Sequence, residues 1–161
     1  TRATIQVGVL TTTKEINGKS WEVDIWDTAG QEQYASLSPM YFRNANAVLI
    51  VFDITDANSY AHARQLNSQL RFHPMEPIMS SAAFAIAANK KDLDLIRVIA
   101  PSELDQFSEA VGVPVYETSA KSGVNVNRMF DSLIAEAASK SAKEASKAPI
   151  DPTNTDHHKC C

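Results

Sequence analysis

Asp27, Gly30 and Gln31 bring three kinds of chemistry within five positions, in the run Trp26-Asp27-Thr28-Ala29-Gly30-Gln31-Glu32. An aspartate at the carboxyl end of an α/β strand is well placed to hold a magnesium ion. A glycine just beyond lets a backbone N–H approach a phosphate closely. The adjoining glutamine can orient a water. The plainer reading makes Asp27 a strand-end cap. Two other polar runs directly follow apolar stretches, Asn89-Lys90-Lys91-Asp92 and Glu117-Thr118-Ser119-Ala120-Lys121. Each in isolation reads as a solvated loop, the second as one leading into a helix.

The elements around these runs are legible from periodicity. Lys19 to Trp26 alternates apolar Trp21, Val23 and Ile25 with polar Ser20, Glu22 and Asp24, the pattern of a half-buried strand. Asn17-Gly18 is a hairpin turn signal, and Thr4 to Ile16, rich in Thr, Val, Ile and Leu, is the first arm. Ala47 to Phe52 is a continuous apolar run ending at Asp53, which suits a strand buried on both faces of a parallel sheet. Asp56 can cap a helix over Ala57 to Arg71, which Pro74 and Pro77 then end. Ala82 to Ala88 is a second buried strand, and it delivers Asn89 to Asp92. Ser102-Glu103-Leu104-Asp105 is a capping-box-like start with Gly112 as its stop. Pro114 to Tyr116 is a short strand that delivers Glu117 to Lys121. The last helix starts near Asn125 and carries Val126, Met129, Phe130, Leu133, Ile134 and Ala137 on one face. After Ser139 the composition turns to Ala, Ser and Lys, then Pro, Asp and Thr, and reads as a flexible tail. Alternating strands and helices with polar motifs after the strands predict a doubly wound α/β fold that binds ligands at the carboxyl ends of its strands.

Composition narrows the function classes. The 161 residues suit one domain, and 44% apolar residues suffice for a core. A net charge of -4 gives no reason to expect nucleic-acid binding. The longest apolar run, Ala45 to Phe52 interrupted by Asn46, is too short to span a bilayer. The two cysteines, Cys160 and Cys161, are adjacent and terminal, so they cannot staple a core, and a reduced cytosolic setting fits.

The motifs together resemble a known family. W-D-T-A-G-Q-E is similar to the switch II signature of the Ras superfamily of small GTPases, and Tyr34 to Arg43 (YASLSPMYFR) resembles the Rab family, above all its early-endosome branch. The resemblance runs from about Thr4 to the last residue. It implies a small-GTPase fold of the P-loop NTPase type, with GTP or GDP and Mg2+ as ligands. Thr4 and Asp27 would serve the metal, Gly30 would donate its N–H to the γ-phosphate, and Gln31 would position the attacking water, roles taken from the Ras scheme itself. Asn89, Lys90 and Asp92 match N-K-x-D. Guanine offers two donors on one edge, its N1–H and exocyclic amine, which the Asp92 carboxylate would accept. Lys90 would lie over the base, and Asn89 would tie the loop together. Ser119, Ala120 and Lys121 of E-T-S-A-K would complete the base site, with the Ala120 N–H on the guanine oxygen. Val9, Trp26 and Tyr41 occupy the places of the aromatic triad that binds Rab effectors. The family usually has Phe where Val9 stands, and Gly where Gln6 stands.

One family element has no counterpart here. No G-x-x-x-x-G-K-[ST] occurs, and the five glycines, at 8, 18, 30, 112 and 123, are scattered. The resemblance therefore implies an N-terminally incomplete chain, whose first strand, P-loop and first helix would precede Thr1. That strand would lie between the second hairpin arm and the strand at Ala47, so its absence predicts a gap in the sheet and open edges. By itself such a stretch is expected to be inactive. The implied domains are residues 1–138, the GTPase domain, and 139–161, the tail.

The end of that tail, His157-His158-Lys159-Cys160-Cys161, resembles the Rab geranylgeranylation signal. Two prenyl chains would supply stable membrane anchoring. A metal site here is disfavoured, because a flexible tail offers no preformed geometry. The implied role is a switch in vesicle traffic on the cytoplasmic face of endosomal membranes. Its partners would be effectors, an exchange factor, a GAP, a GDP-dissociation inhibitor and the prenylation machinery. A reading from another class is a nucleotide-independent interaction module that lacks the P-loop.

Overall fold

The computed structural model describes residues 8–27, 45–71 and 82–145. Their order is β1 (Gly8–Ile16), β2 (Lys19–Asp27), β3 (Ala47–Asp53), α1 (Ala57–Arg71), β4 (Ala83–Asn89), a 3-10 helix (Lys91–Ile96), α2 (Pro101–Val111), β5 (Val115–Glu117) and α3 (Val126–Ala145).

β1 and β2 form an antiparallel hairpin, with Ile16 opposite Lys19. Asn17 and Gly18 both take positive φ, 53° and 73°, as a tight hairpin turn requires. The second arm alternates half-buried Trp21, Val23 and Ile25 with exposed neighbours, as its period-2 pattern predicts.

β3, β4 and β5 form a parallel sheet in the order β3-β4-β5. Every residue of β4 but Asn89 is buried. Small alanines at positions 83, 85, 87 and 88 let helices approach it closely, while Phe84 and Ile86 fill the core. One side is packed by Ile50, Phe52, Tyr60, Ile99, Leu104 and Phe107, which brings α1 and α2 onto the sheet. The Tyr60 ring lies 5.1 Å from Phe52 and 5.7 Å, edge-on, from Phe107. The other side is covered by α3 through Leu133 and Ala137 against Ala83 and Ala85. Helices on both faces of a parallel sheet make this a doubly wound α/β arrangement, as the alternation of strands and helices predicts.

Among the described residues no strand pairing joins the hairpin to the three-stranded sheet. Val51 of β3 is 54% exposed, although β3 reads as a strand covered on both faces.

Four boundaries differ from expectation. α2 begins at Pro101 with Ala100 as its cap, and not at Ser102. Proline is favoured at the first helical position, where its missing N–H costs nothing, and Glu103 Oε2 reaches back to accept the Ala100 N–H at 2.8 Å. α3 continues past Ser139 to Ala145. Alanine, lysine and glutamate are strong helix formers, Glu136 pairs with Lys140 at 2.8 Å, and Lys140 Nζ donates to the Ala82 carbonyl at 2.9 Å. β4 and β5 each end one residue later than their apolar runs, at Asn89 and Glu117.

Candidate functional site

β3, β4 and β5 run parallel, with Asp53 opposite Asn89 and Ala88 opposite Glu117. Their carboxyl ends therefore deliver Asp53, the Asn89–Asp92 loop and the Thr118–Lys121 loop to one edge of the sheet. The ladder continues beyond the strands: the Thr118 N–H donates to the Ala88 carbonyl at 2.9 Å, and the Lys91 N–H to the Thr118 carbonyl at 2.9 Å.

Side chains then join the two loops. Asn89 Oδ1 accepts the Ala120 N–H at 3.0 Å and the Thr118 hydroxyl at 3.4 Å. The Ser119 hydroxyl donates to Asp92 Oδ1 at 2.6 Å and accepts the Ser122 N–H at 3.1 Å. Ser119 is fully buried and Thr118 is 3% exposed. Buried hydroxyls are tolerated when their bonds are made, and here they are. Asp92 keeps a second oxygen, Oδ2, with Lys121 Nζ 3.9 Å away. Lys121 itself is largely in solvent.

Lys90 sits at the join with φ 69°, ψ 35°, a left-handed conformation uncommon for a residue with a side chain. Its ammonium is 2.5 Å from Asp53 Oδ2. Asp53 also accepts the Thr55 N–H at 2.8 Å and the Thr55 hydroxyl at 2.7 Å. Burial opposes ionisation of Asp53, but the Lys90 ammonium and the two Thr55 bonds outweigh it and hold the carboxyl below its ordinary range. The hydrogen bond to Asp53 correspondingly raises Lys90.

On the far side of the loops lies an ion network. Arg97 Nη1 donates to Asp94 Oδ1 at 2.9 Å, its Nη2 donates to Glu117 Oε1, and its Nε donates to the Ile99 carbonyl at 2.9 Å. Lys91 Nζ approaches Asp94 Oδ1 at 2.9 Å and Glu117 Oε2 at 3.3 Å. The bond to Asp94 is the main cause that raises Lys91.

The structure thus gathers Asn89, Lys90, Asp92, Ser119, Ala120 and Lys121 into one cluster. Two contacts differ from what the resemblance implies. The Ala120 N–H, assigned to a guanine oxygen, here donates to Asn89, and Lys90, assigned to the face of the base, here pairs with Asp53. Asp27 stands at the end of β2, exposed. Val9 and Trp26 are cross-strand partners, 52% and 54% exposed. Thr4, Gly30, Gln31, Tyr41, Cys160 and Cys161 lie outside the described residues.

Asp53 and Arg97 belong to this constellation although no motif names them. Asp53 has a sequence signal, an acid closing a buried strand in the manner of Asp27. Arg97 has none, because its partners lie three and twenty positions away on separate elements. Among the described residues no helix is long and apolar enough to cross a membrane.

The family model described as the Ras family matches residues 1–139. The chain is 41% identical over 128 residues to the Ras-related protein RHN1 of Nicotiana plumbaginifolia, a match covering 80% of this chain and 62% of that protein. It is 34% identical over 154 residues to the GTP-binding protein YPTM1 of Zea mays, covering 94% of this chain and 71% of that protein. The chain spans somewhat under two thirds of the first of these relatives.

Proposed function

The chain belongs to the Ras family of small GTPases, within its Rab-type members, and from that premise we propose that it recognises guanine through the cluster at the ends of β4 and β5. The observation that carries this reading is the pair of hydrogen bonds that closes the two loops on each other, Asn89 with Ala120 and Asp92 with Ser119. A base edge presenting two N–H donors side by side fits a carboxylate whose second oxygen, Oδ2, has Lys121 Nζ no closer than 3.9 Å. Adenine has no such pair. A nucleotide arriving here also offers Lys90 a phosphate or a base face in exchange for Asp53.

The full-length protein then works as a GTP/GDP switch in vesicle traffic, of the early endocytic type. Mg2+, when bound, supplies charge neutralisation on the phosphates, with Thr4 and Asp27 as its protein contacts. Gly30 holds the γ-phosphate and Gln31 the attacking water. Val9, Trp26 and Tyr41 receive effectors, and exposed Val9 and Trp26 side by side support this. Exchange factor, GAP and GDP-dissociation inhibitor act on the same cycle. Prenyl groups on Cys160 and Cys161 place the protein on endosomal membranes.

The test uses the full-length protein. Titration with GDP and ADP should give strong preference for GDP, and no binding of either would favour the interaction module instead. Gln31→Leu should leave GTP affinity nearly intact while GAP-stimulated single-turnover hydrolysis loses much of the roughly 10³–10⁵ acceleration that a GAP supplies in the Ras scheme. Wild-type turnover in that variant would remove Gln31 from the reaction. A native tail with unmodified thiols by mass spectrometry would remove the lipid anchor.

A further inference from the structure

We propose that Arg97 is a positioning residue for guanine selectivity, acting through Glu117 and Asp94 to set the spacing between the two base-site loops. The inference rests on the guanine reading above and goes beyond the motif residues.

Arg97 follows the 3-10 helix that leaves Asp92, and its side chain is only 14% exposed. All three of its nitrogens have partners on different segments. Nη1 reaches Asp94, two residues past Asp92; Nη2 reaches Glu117, which immediately precedes Thr118; Nε reaches the Ile99 carbonyl. The backbone beyond is pinned in turn, since the Val98 and Ile99 N–H groups donate to the Ile54 carbonyl at 2.9 and 3.2 Å. Ile54 directly follows the end of β3. One guanidinium therefore links the carboxyl ends of β3, β4 and β5. Lys91 closes the ring by bridging the same two carboxylates.

Charge balance explains why the ring is stable so close to Asp92. Two cations face two carboxylates, so Glu117 and Asp94 add no net negative charge behind the base site. Geometry explains why arginine is needed. Its planar fork addresses two carboxylates and a carbonyl at once, whereas an ammonium on a flexible stem keeps the charge and loses the fixed angles. Arg97 has no contact with Asn89, Asp92, Ser119 or Ala120 in its own bonds. Its effect on the base passes through the loops that it anchors.

The consequence is specific. Asp92 must meet the guanine 2-amino group while the Thr118–Lys121 loop meets the opposite edge. Loosening the spacing weakens that pairing more than it weakens contacts with sugar or phosphate. The full-length protein should be compared with Arg97→Lys, Glu117→Gln and the double variant. Affinities for GDP and for inosine diphosphate, which lacks the 2-amino group, give selectivity, and thermal unfolding gives stability. Each single variant should lower the GDP-to-IDP affinity ratio by about three- to ten-fold, the scale of one weakened charge-assisted hydrogen bond. The double variant should lose little more than the worse single variant, because both break one link.

A ratio equal to wild type in folded Arg97→Lys and Glu117→Gln overturns the proposal, even if melting temperature falls. Should Arg97→Lys fail to fold, Glu117→Gln alone decides, since it removes a charge and keeps the side chain's shape. Wild-type protein that binds GDP and IDP equally would overturn the guanine reading itself.

Discussion

The edge of the sheet where the Asn89–Asp92 and Thr118–Lys121 loops meet and the β1–β2 hairpin are built by opposite strategies. At the edge, polar side chains are buried and satisfied within the cluster: Ser119 is fully buried, and Asn89, Asp92, Arg97 and Glu117 make bonds across chain segments. In the hairpin, order comes mainly from the local ladder and its Asn17-Gly18 turn. Its tie to the parallel-sheet body includes the Lys14–Asp131 ion pair at 2.7 Å, and Val9, Leu10 and Trp26 remain more than half exposed. A region closed on itself is rigid before a ligand arrives. A region with an apolar exposed surface is shaped to be covered by something else. On the function proposed above, the first would recognise one small molecule and the second would exchange protein partners.

The sharpest way to break this contrast is at Asp92. In the full-length protein, Asp92→Asn should weaken GDP binding by about 10²–10⁴-fold, because one acceptor becomes a donor facing a donor and the other loses its charge, at roughly 1.5–3 kcal/mol each. Preference should move toward xanthine nucleotides, whose altered edge pairs with an amide. Competition between GDP and XDP measures both. Unchanged GDP affinity would mean that the cluster is a structural knot and not a base site.

Next comes Asn89→Ala, which removes the acceptor shared by Ala120 and Thr118. It leaves the Ala120 N–H open and should cost about 1–3 kcal/mol of stability if that group stays dry. Nucleotide release, followed by stopped-flow fluorescence, should speed up in parallel. A variant with normal stability and fast release would show that water replaces the amide, and the edge would then be open to solvent.

The hairpin should behave in the reverse way. Val9→Ala and Trp26→Ala truncate an exposed cross-strand pair, worth about 0.2–1 kcal/mol. Chemical denaturation should register little, while pull-down of a GTP-dependent effector should fall strongly. Large destabilisation with intact effector binding would assign these side chains to packing.

How far the sequence reveals each region follows from the range of the forces involved. The helix Ala57–Arg71 lies where it is expected, because its signals are local: the Asp56 carboxylate accepts the Asn58 N–H at 2.8 Å, one turn away at most. The Asn17-Gly18 turn and the Gly112 stop at φ 61° are local too. The Asn89–Asp92 and Thr118–Lys121 loops were legible through their resemblance to N-K-x-D and E-T-S-A-K, each at the end of a strand, buried β4 and half-buried β5. The bonds of Arg97 were not, since nothing in the neighbourhood of an arginine encodes a glutamate twenty positions on. The same holds for Lys90 with Asp53: the sequence marks both, and only the parallel register of β3 and β4 makes them neighbours. The extension of α3 to Ala145 was hidden for another reason. Polar, alanine-rich sequence reads alike as tail and as solvated helix, and a long-range bond to Ala82 tips the balance.

The smallest expected effect probes whether the edge is held by charge at all. Asp53 titrates below its ordinary value of 3.8, and Lys90 above its ordinary 10.5. A lowered carboxylate contributes stability that is present above its unfolded value and lost as pH falls through the folded one. A raised ammonium contributes stability that is present below its unfolded value and lost as pH rises through the folded one. The pair's contribution should therefore be flat from about pH 5 to 9, fading only below about 4 and above about 10.5. Lys90 is nearly half exposed, so solvent screening keeps the total within about 1 kcal/mol. Asp53→Asn retains an oxygen for Thr55 and removes only the charge. The melting temperatures of this variant and the wild type should differ slightly and constantly across the plateau, then converge in acid. A difference that persists at pH 2.5 would mean that the variant is separated from the wild type by something other than the Asp53–Lys90 charge pair, and the lysine would then be a bystander at this edge.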